Sequence, residues 1–124
     1  MNDGTQDQVT VSFPATPTFS RIGRVTVAGL AIRLGVDIAD VERLRVAVDH
    51  AVTALHGPGR IHLEARWAPH RLTVRVDNPD HRLGPNEVSR VAEALASMVD
   101  DVNVGPSSID LALGDSIPGH SELV

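Results

Sequence analysis

Two neighbouring segments of the chain alternate apolar and polar side chains, and this pattern limits the fold more than any other feature. A short turn at Pro69-His70 joins them. The apolar positions that share one side are Ile61, Leu63, Ala65 and Trp67 in the first segment and Leu72, Val74 and Val76 in the second. A strand with one wet face packs against helices on its other face only. The alternation therefore predicts a hairpin in a two-layer sandwich and excludes a doubly wound parallel sheet.

The remaining segments complete a β-α-α-β-β-α-β order. Val9 to Phe13 alternates like a strand, and Thr16-Pro17 is predicted to cap a helix that runs to Gly35. Asp37, together with Asp40, is predicted to cap a second helix with the apolar face Val41, Leu44, Val48, Ala51, Val52 and Leu55. A third helix follows Gly84-Pro85, with an inner face of Val88, Val91, Ala92, Leu95 and Val99. The last strand is marked by Ile109, Leu111 and Leu113.

These elements predict an α/β (α+β) two-layer sandwich, with a mostly antiparallel mixed sheet and helices on one face. A chain of 124 residues is long enough for one such domain, which we expect over residues 9–113. Residues 1–8 are polar and are expected to be a disordered lead-in, and residues 114–124 are expected to be a flexible tail.

Composition excludes several classes of function. The chain has no Cys, and its six His lack paired ligand spacing, so we expect no metal site. A formal charge of −5 without a basic cluster argues against nucleic acid as a partner. No apolar run approaches the roughly 20 residues that cross a bilayer, and the first residues lack a charged region followed by an apolar core, so we expect a cytoplasmic protein without a membrane contact. All eleven basic residues are Arg, a bias typical of a GC-rich genome.

The run from Arg45 to His56 carries the pattern with the most chemical content. It resembles the N-box helix of the histidine-kinase-like (GHKL) ATPases, in particular the bacterial anti-sigma-factor serine kinases. Their pattern L-A-V-x-E-A-x-x-N-A supplies a general base and a magnesium ligand, and here His50 and Ala54 stand at those two positions. An imidazole can act as a base, but an alanine methyl offers no oxygen to Mg²⁺. The resemblance covers roughly Val9 to Leu113 and implies a GHKL, or Bergerat-like, fold.

The end of the second hairpin strand resembles a second family motif. In the family, an Asp-x-Gly-x-Gly box recognises the adenine amino group through its Asp. The matching run here begins at Asp77, and Pro79 and His81 replace the two glycines. Proline fixes φ, and histidine adds a side chain where close backbone approach is needed. Asp77 is thus either a residual adenine-site position or a turn residue in Asp-Asn-Pro.

The family's lid and phosphate site are also altered. Family members have a long lid before a glycine-rich helix start, whereas this chain passes from His81 to Pro85 in a few residues. Glu87 places negative charge where a triphosphate would lie. No dinucleotide-binding glycine motif and no P-loop motif occurs. We expect no cofactor, and we expect side chains to fill the space between the second helix and the sheet, with Asp80 to Pro85 closed over it.

The segment from Phe19 to Val25 resembles the family's first helix, where an Arg at the position of Arg24 contacts the sigma factor or an anti-anti-sigma (STAS-type) protein. Arg21 lies one turn earlier. Two guanidinium groups on one side of a helix can bind acidic groups of a partner. The resemblance therefore implies partner binding by Arg21 and Arg24.

The sequence favours a non-catalytic, anti-sigma-factor-like regulator (a pseudokinase) that binds a protein partner in an actinobacterial-type circuit of transcription regulation and partner switching. One alternative is an ATP-dependent serine kinase in which His50 replaces the base and Asp77 holds adenine. A second alternative is a structural module that forms a homodimer. Enzyme activity stays open between these hypotheses.

Overall fold

A computed structural model describes residues 8–114, which form one sheet and one layer of helices. The strands are β1 (Gln8–Pro14), β2 (Arg60–Ala68), β3 (Arg71–Asp77), β4 (Asp101–Val104) and β5 (Ser108–Gly114), and the α-helices are α1 (Arg21–Arg33), α2 (Ile38–Ala54) and α3 (Pro85–Ala96). The strand order is β1-β2-β3-β5-β4. The predicted α+β sandwich is confirmed, although every strand pair in residues 8–114 is antiparallel rather than mixed. The predicted lead-in and tail lie almost wholly outside the described residues.

Strand β4 is the element that the sequence analysis misses. It has four residues and pairs with β5 from Asp101↔Ala112 to Val104↔Ile109. Its run Asp-Val-Asn-Val has two apolar side chains, too few to distinguish a strand from a loop by alternation. Backbone pairing with β5 therefore determines this element more than its own side chains do.

The start of the first helix also differs from the prediction. Thr16 makes no side-chain capping bond, and Pro17–Phe19 form a single 3₁₀ turn. The Ser20 hydroxyl bonds back to the Pro17 carbonyl at 3.0 Å, and α1 begins at Arg21. The Thr16 cap is thus wrong because a short 3₁₀ turn, rather than the first turn of α1, satisfies this segment.

Helix α2 forms the centre of the core, as predicted. Its whole predicted apolar face is buried: Val41, Leu44, Val48, Ala51, Val52 and Leu55. The Asp37 carboxylate accepts a hydrogen bond from the Ala39 N–H at 3.2 Å and caps the helix. Asp40 does not share the cap; it binds Arg43 at 2.8 Å.

Helix α3 is less buried than its apolar pattern predicts. Leu95 is buried in the helix and Val99 just beyond it, whereas Val88, Val91 and Ala92 stay partly exposed. The predicted inner face is therefore confirmed for Leu95 and Val99, and Val88 and Val91 also pack against the core although they are only partly buried. Val91 and Ala94 on this side of α3 also line a groove between α3 and α2.

The sheet's outer face is charged and paired. Arg75 binds Asp110 across β3 and β5 at 3.0 Å, and Arg71 binds Asp101 at 3.0 Å. Arg66 binds Glu64 at 3.0 Å within β2. Such exposed pairs add little stability, but they keep this face wet and unsuited to apolar partners.

Two glycines on α1 give opposite predictions. A Cβ at Gly23 would lie 3.2 Å from Leu63 Cδ1 and 3.3 Å from Val52 Cγ2, whereas at Gly29 nothing lies within 4 Å. Gly29→Ala should raise the free energy of unfolding by about 0.5 to 1 kcal/mol because alanine favours the helix. Gly23→Ala should lower it by roughly 1 kcal/mol, because the buried Leu63 and Val52 side chains must each shift to make room for the methyl group. Urea unfolding of both variants measures the difference, and equal shifts would contradict the packing at Gly23.

Candidate functional site

His50 and Ala54 lie one turn apart on α2 and face a groove between α2 and α3. The groove has a volume of about 330 Å³ and is lined by His50, Ala54, Leu83, Glu87, Arg90, Val91 and Ala94. The His50 side chain is exposed and makes no hydrogen bond to another residue in the described range. The structure thus brings together the predicted base position and the predicted lost magnesium position.

Asp77 does not join them. It ends β3 on the outer face of the sheet, where its carboxylate lies 3.7 Å from Arg75 Nε. It lines an outer-face hollow with residues of β1 and β2, on the side of the sheet away from α2. The interpretation of Asp77 as a residual adenine-site position therefore does not hold in the structure, because its side chain points away from the helix layer.

Asn78 is the inward-facing polar residue at this strand end, and the sequence analysis missed it. It is completely buried. Its amide nitrogen donates to the Leu55 carbonyl and to the Pro58 carbonyl, each at 3.0 Å, and its side-chain oxygen accepts from the Asp80 N–H at 3.0 Å. The two bonds of the amide nitrogen thus join the end of β3 to the end of α2 and the loop that follows it, and the third bond holds the turn at residues 78–80.

The signal for Asn78 was present in the alternation. Leu72, Val74 and Val76 face inward, and a period of two carries this side to position 78 rather than to 77. A side chain that recognises a ligand between the sheet and the helices must face inward. Asn78, not Asp77, stands at the inward position of the strand end.

The segment after Asn78 closes over the end of the core. Leu83 is 5% exposed, and its N–H bonds to the Pro106 carbonyl at 2.7 Å. Ser107 Oγ donates to the His81 carbonyl at 2.6 Å. The expected closure is seen at Leu83 beside the sheet, and buried side chains fill the space between α2 and the sheet, as predicted. A separate groove between α2 and α3 stays open.

The first turn of α3 carries its own anion. Glu87 Oε1 accepts a hydrogen bond from the Gly84 N–H at 2.9 Å, and Pro85 occupies the first helical position. A carboxylate here is stabilised by the helix dipole and occupies a donor that a phosphate would otherwise use. The start of α3 is therefore unfavourable for a second anion.

The two arginines of α1 differ in their surroundings. Arg24 Nη1 binds Asp49 Oδ1 of α2 at 2.9 Å, and the two side chains are 33% and 41% exposed. Arg21 is exposed and has no partner within residues 8–114. The structure thus places Arg24 in a bond between α1 and α2 and leaves Arg21 as the uncommitted guanidinium.

One exposed pair on α2 has shifted pKa values. Arg45 donates to Glu42 at 2.9 Å, and this hydrogen bond, with the opposite charge, lowers the pKa of the Glu42 carboxyl. The same contact raises the pKa of Arg45. Neither residue lines the groove, so this pair has no direct part in its chemistry.

Neither a candidate metal cluster nor a membrane-spanning helix occurs among the described residues. Residues 8–114 contain no cluster of three or more His, Asp or Glu side chains that could hold a metal ion. Over the same residues no helix has the length and apolar character needed to cross a membrane.

The sequence and the fold both match known proteins. The chain is 30% identical over 105 residues to the serine-protein kinase RsbW of Listeria innocua, with 72% of this chain and 67% of that protein covered. RsbW of Listeria monocytogenes serotypes 4a and 4b matches at the same identity and coverage. The crystal structure of the RsbU and RsbW domains of Rv1364c from Mycobacterium tuberculosis matches with a TM-score of 0.68 and 16% identity. That match covers 90% of this chain and 33% of the solved chain, and no family model matches the sequence.

The antiparallel sheet with three helices on one face is therefore the fold of a GHKL-type, kinase-like domain. At the level of sequence the chain belongs to the family of RsbW anti-sigma-factor serine kinases. The chain spans one third of the solved Mycobacterium tuberculosis chain, and at this identity that match concerns the fold alone.

Proposed function

We propose that the chain is a non-catalytic member of this family, which regulates transcription in the cytoplasm by binding a protein partner without using ATP. The observation that carries the proposal is Asn78. Its side chain is hydrogen-bonded to the backbone of Leu55, Pro58 and Asp80 inside the protein. An adenine amino group would need an acceptor at this strand end, but the Asn78 oxygen is completely buried and already accepts from the Asp80 N–H.

Two further contacts support the absence of ATP chemistry. Ala54 lines the groove with a methyl group, which cannot coordinate Mg²⁺. Glu87 holds a negative charge at the first turn of α3, where a phosphate would rest. Each loss concerns a different part of the nucleotide, so a single compensating residue cannot restore binding.

The proposed partner is a sigma factor or an anti-anti-sigma protein of the STAS type, bound through α1. This helix carries three arginines and no acidic residue. Val25 and Ile32 are each 57% exposed on its outer side, with Gly29 between them and Arg21 and Arg33 towards its two ends. An apolar stripe flanked by cations fits an acidic amphipathic helix of a partner.

Capture of the host's sigma factors and STAS proteins by the purified chain tests the proposal. We expect one of them to bind in nucleotide-free buffer, with a dissociation constant that Mg-ATP changes by less than about twofold. Capture that appears only when Mg-ATP is added would contradict it. A binding assay on a sensor surface gives the dissociation constant with Mg-ATP and the dissociation constant without it.

A second candidate function is ATP-dependent phosphorylation of a partner serine. The open groove beside His50 favours it, because an exposed imidazole next to a cavity can act as a general base. Phosphoserine on a co-incubated STAS protein, detected by mass spectrometry and lost in His50→Ala, would establish this function instead.

A further inference from the structure

The groove between α2 and α3 has an apolar floor that the protein itself does not cover. The floor consists of Ala54, Leu83, Val91 and Ala94. The volume of the groove, about 330 Å³, lies at the lower end of the range for small-ligand sites. Because Val91 is only partly buried, a ligand here would remove apolar surface from water without displacing any side chain of the core.

The rim of the groove carries positive charge without a protein partner. Arg90 is exposed and makes no hydrogen bond or ion pair with another described residue, and the same holds for His50. Glu87 also lines the groove, but its carboxylate accepts from the Gly84 N–H and lies at the positive end of α3. The groove thus pairs an apolar floor with one free guanidinium and one free imidazole.

We propose that this groove binds a small apolar carboxylate, of the class of medium-chain fatty acids. The hydrocarbon would lie on the apolar floor, and the carboxylate would accept hydrogen bonds from Arg90, with His50 as a second donor. A nucleoside triphosphate is a poor fit because Ala54 offers no oxygen to the Mg²⁺ that accompanies its phosphates. The inference is independent of the protein partner proposed for α1.

Calorimetry with decanoate and with decanol tests this site, since the two molecules share a hydrocarbon chain and differ in the carboxylate. We expect decanoate to bind saturably with a dissociation constant below about 1 mM, and we expect the dissociation constant of decanol to be at least tenfold higher. Arg90→Glu should raise the dissociation constant of decanoate at least tenfold. Arg33→Glu makes the same change of charge at the end of α1, away from the groove, and should leave decanoate binding unchanged.

Ala94→Trp provides a second test because an indole would fill the groove, and decanoate binding should disappear. If Ala94→Trp lowers the melting temperature, decanoate binding by Arg90→Glu becomes the deciding measurement. Arg90 is exposed, so its replacement leaves the core unchanged. The proposal is overturned by any of three results: no saturable decanoate binding, equal binding of decanol, or equal effects of Arg90→Glu and Arg33→Glu.

Discussion

Replacing Asn78 by alanine should lower the free energy of unfolding by about 3 kcal/mol, although the neighbouring Asp77 can be replaced almost without effect. Asn78→Ala leaves the carbonyls of Leu55 and Pro58 without their shared donor and opens a small cavity in a fully buried place. A buried carbonyl without a partner costs roughly 1 to 3 kcal/mol. Asn78→Asp should be worse at neutral pH, because it buries a charge against two carbonyl oxygens.

The matched control is Asp77→Ala. Asp77 is about one-third exposed and its contact with Arg75 is 3.7 Å long, so the loss should stay below about 1 kcal/mol. Urea unfolding of the three variants gives the comparison, and Asn78→Ala should also lower the melting temperature by roughly 10 °C or more. Similar small losses for Asn78→Ala and Asp77→Ala would show that Asn78 is not the residue that joins β3 to α2.

Changing the exposed face of α1 should abolish most partner binding while the fold stays intact. The double variant Arg21→Glu with Val25→Asp reverses one charge and places another on the apolar stripe. We expect the dissociation constant for the captured sigma factor or STAS protein to rise about hundredfold, near 2.8 kcal/mol. Both side chains are exposed, so the melting temperature should change little.

Two controls separate this surface from general effects. Ile38→Asp introduces a charge at the start of α2, where the side chain is 70% exposed, and it should not affect capture. Arg24→Ala and Asp49→Ala break the same ion pair from either side. Equal, small effects of these two would assign Arg24 to the bond between helices, whereas a loss of capture in Arg24→Ala alone would assign it to the partner interface. Unchanged capture by the double variant would exclude α1 as the interface.

The sequence predicts the fold well where side-chain burial repeats over many positions. The buried face of α2 and the hairpin around Pro69-His70 follow from periods of 3.6 and 2, because burial of one face dictates both. The prediction fails for β4, since a four-residue strand is determined by its partner. It also fails for the first turn before α1, where Thr16 and Pro17 start a 3₁₀ turn instead of the helix.

The site is predicted less completely than the fold. His50 and Ala54 were found because both belong to one helical motif, and they do line one groove. The prediction for Asp77 rests on the chemistry of its carboxylate, whereas the alternation of β3 places this side chain on the outer face of the sheet, away from the helices. The groove exists because of the distance between α3 and α2. Local sequence patterns do not predict distances between elements.

Calorimetric titration of the purified chain with Mg-ATP and with Mg-ADP tests the central claim most directly. We expect no saturable heat of binding at nucleotide concentrations up to about 1 mM. This expectation rests on the buried, hydrogen-bonded side chain of Asn78, the methyl group of Ala54 and the carboxylate of Glu87. A one-site isotherm with a dissociation constant below about 100 μM, roughly −5.5 kcal/mol, would contradict the account and favour the ATP-dependent kinase.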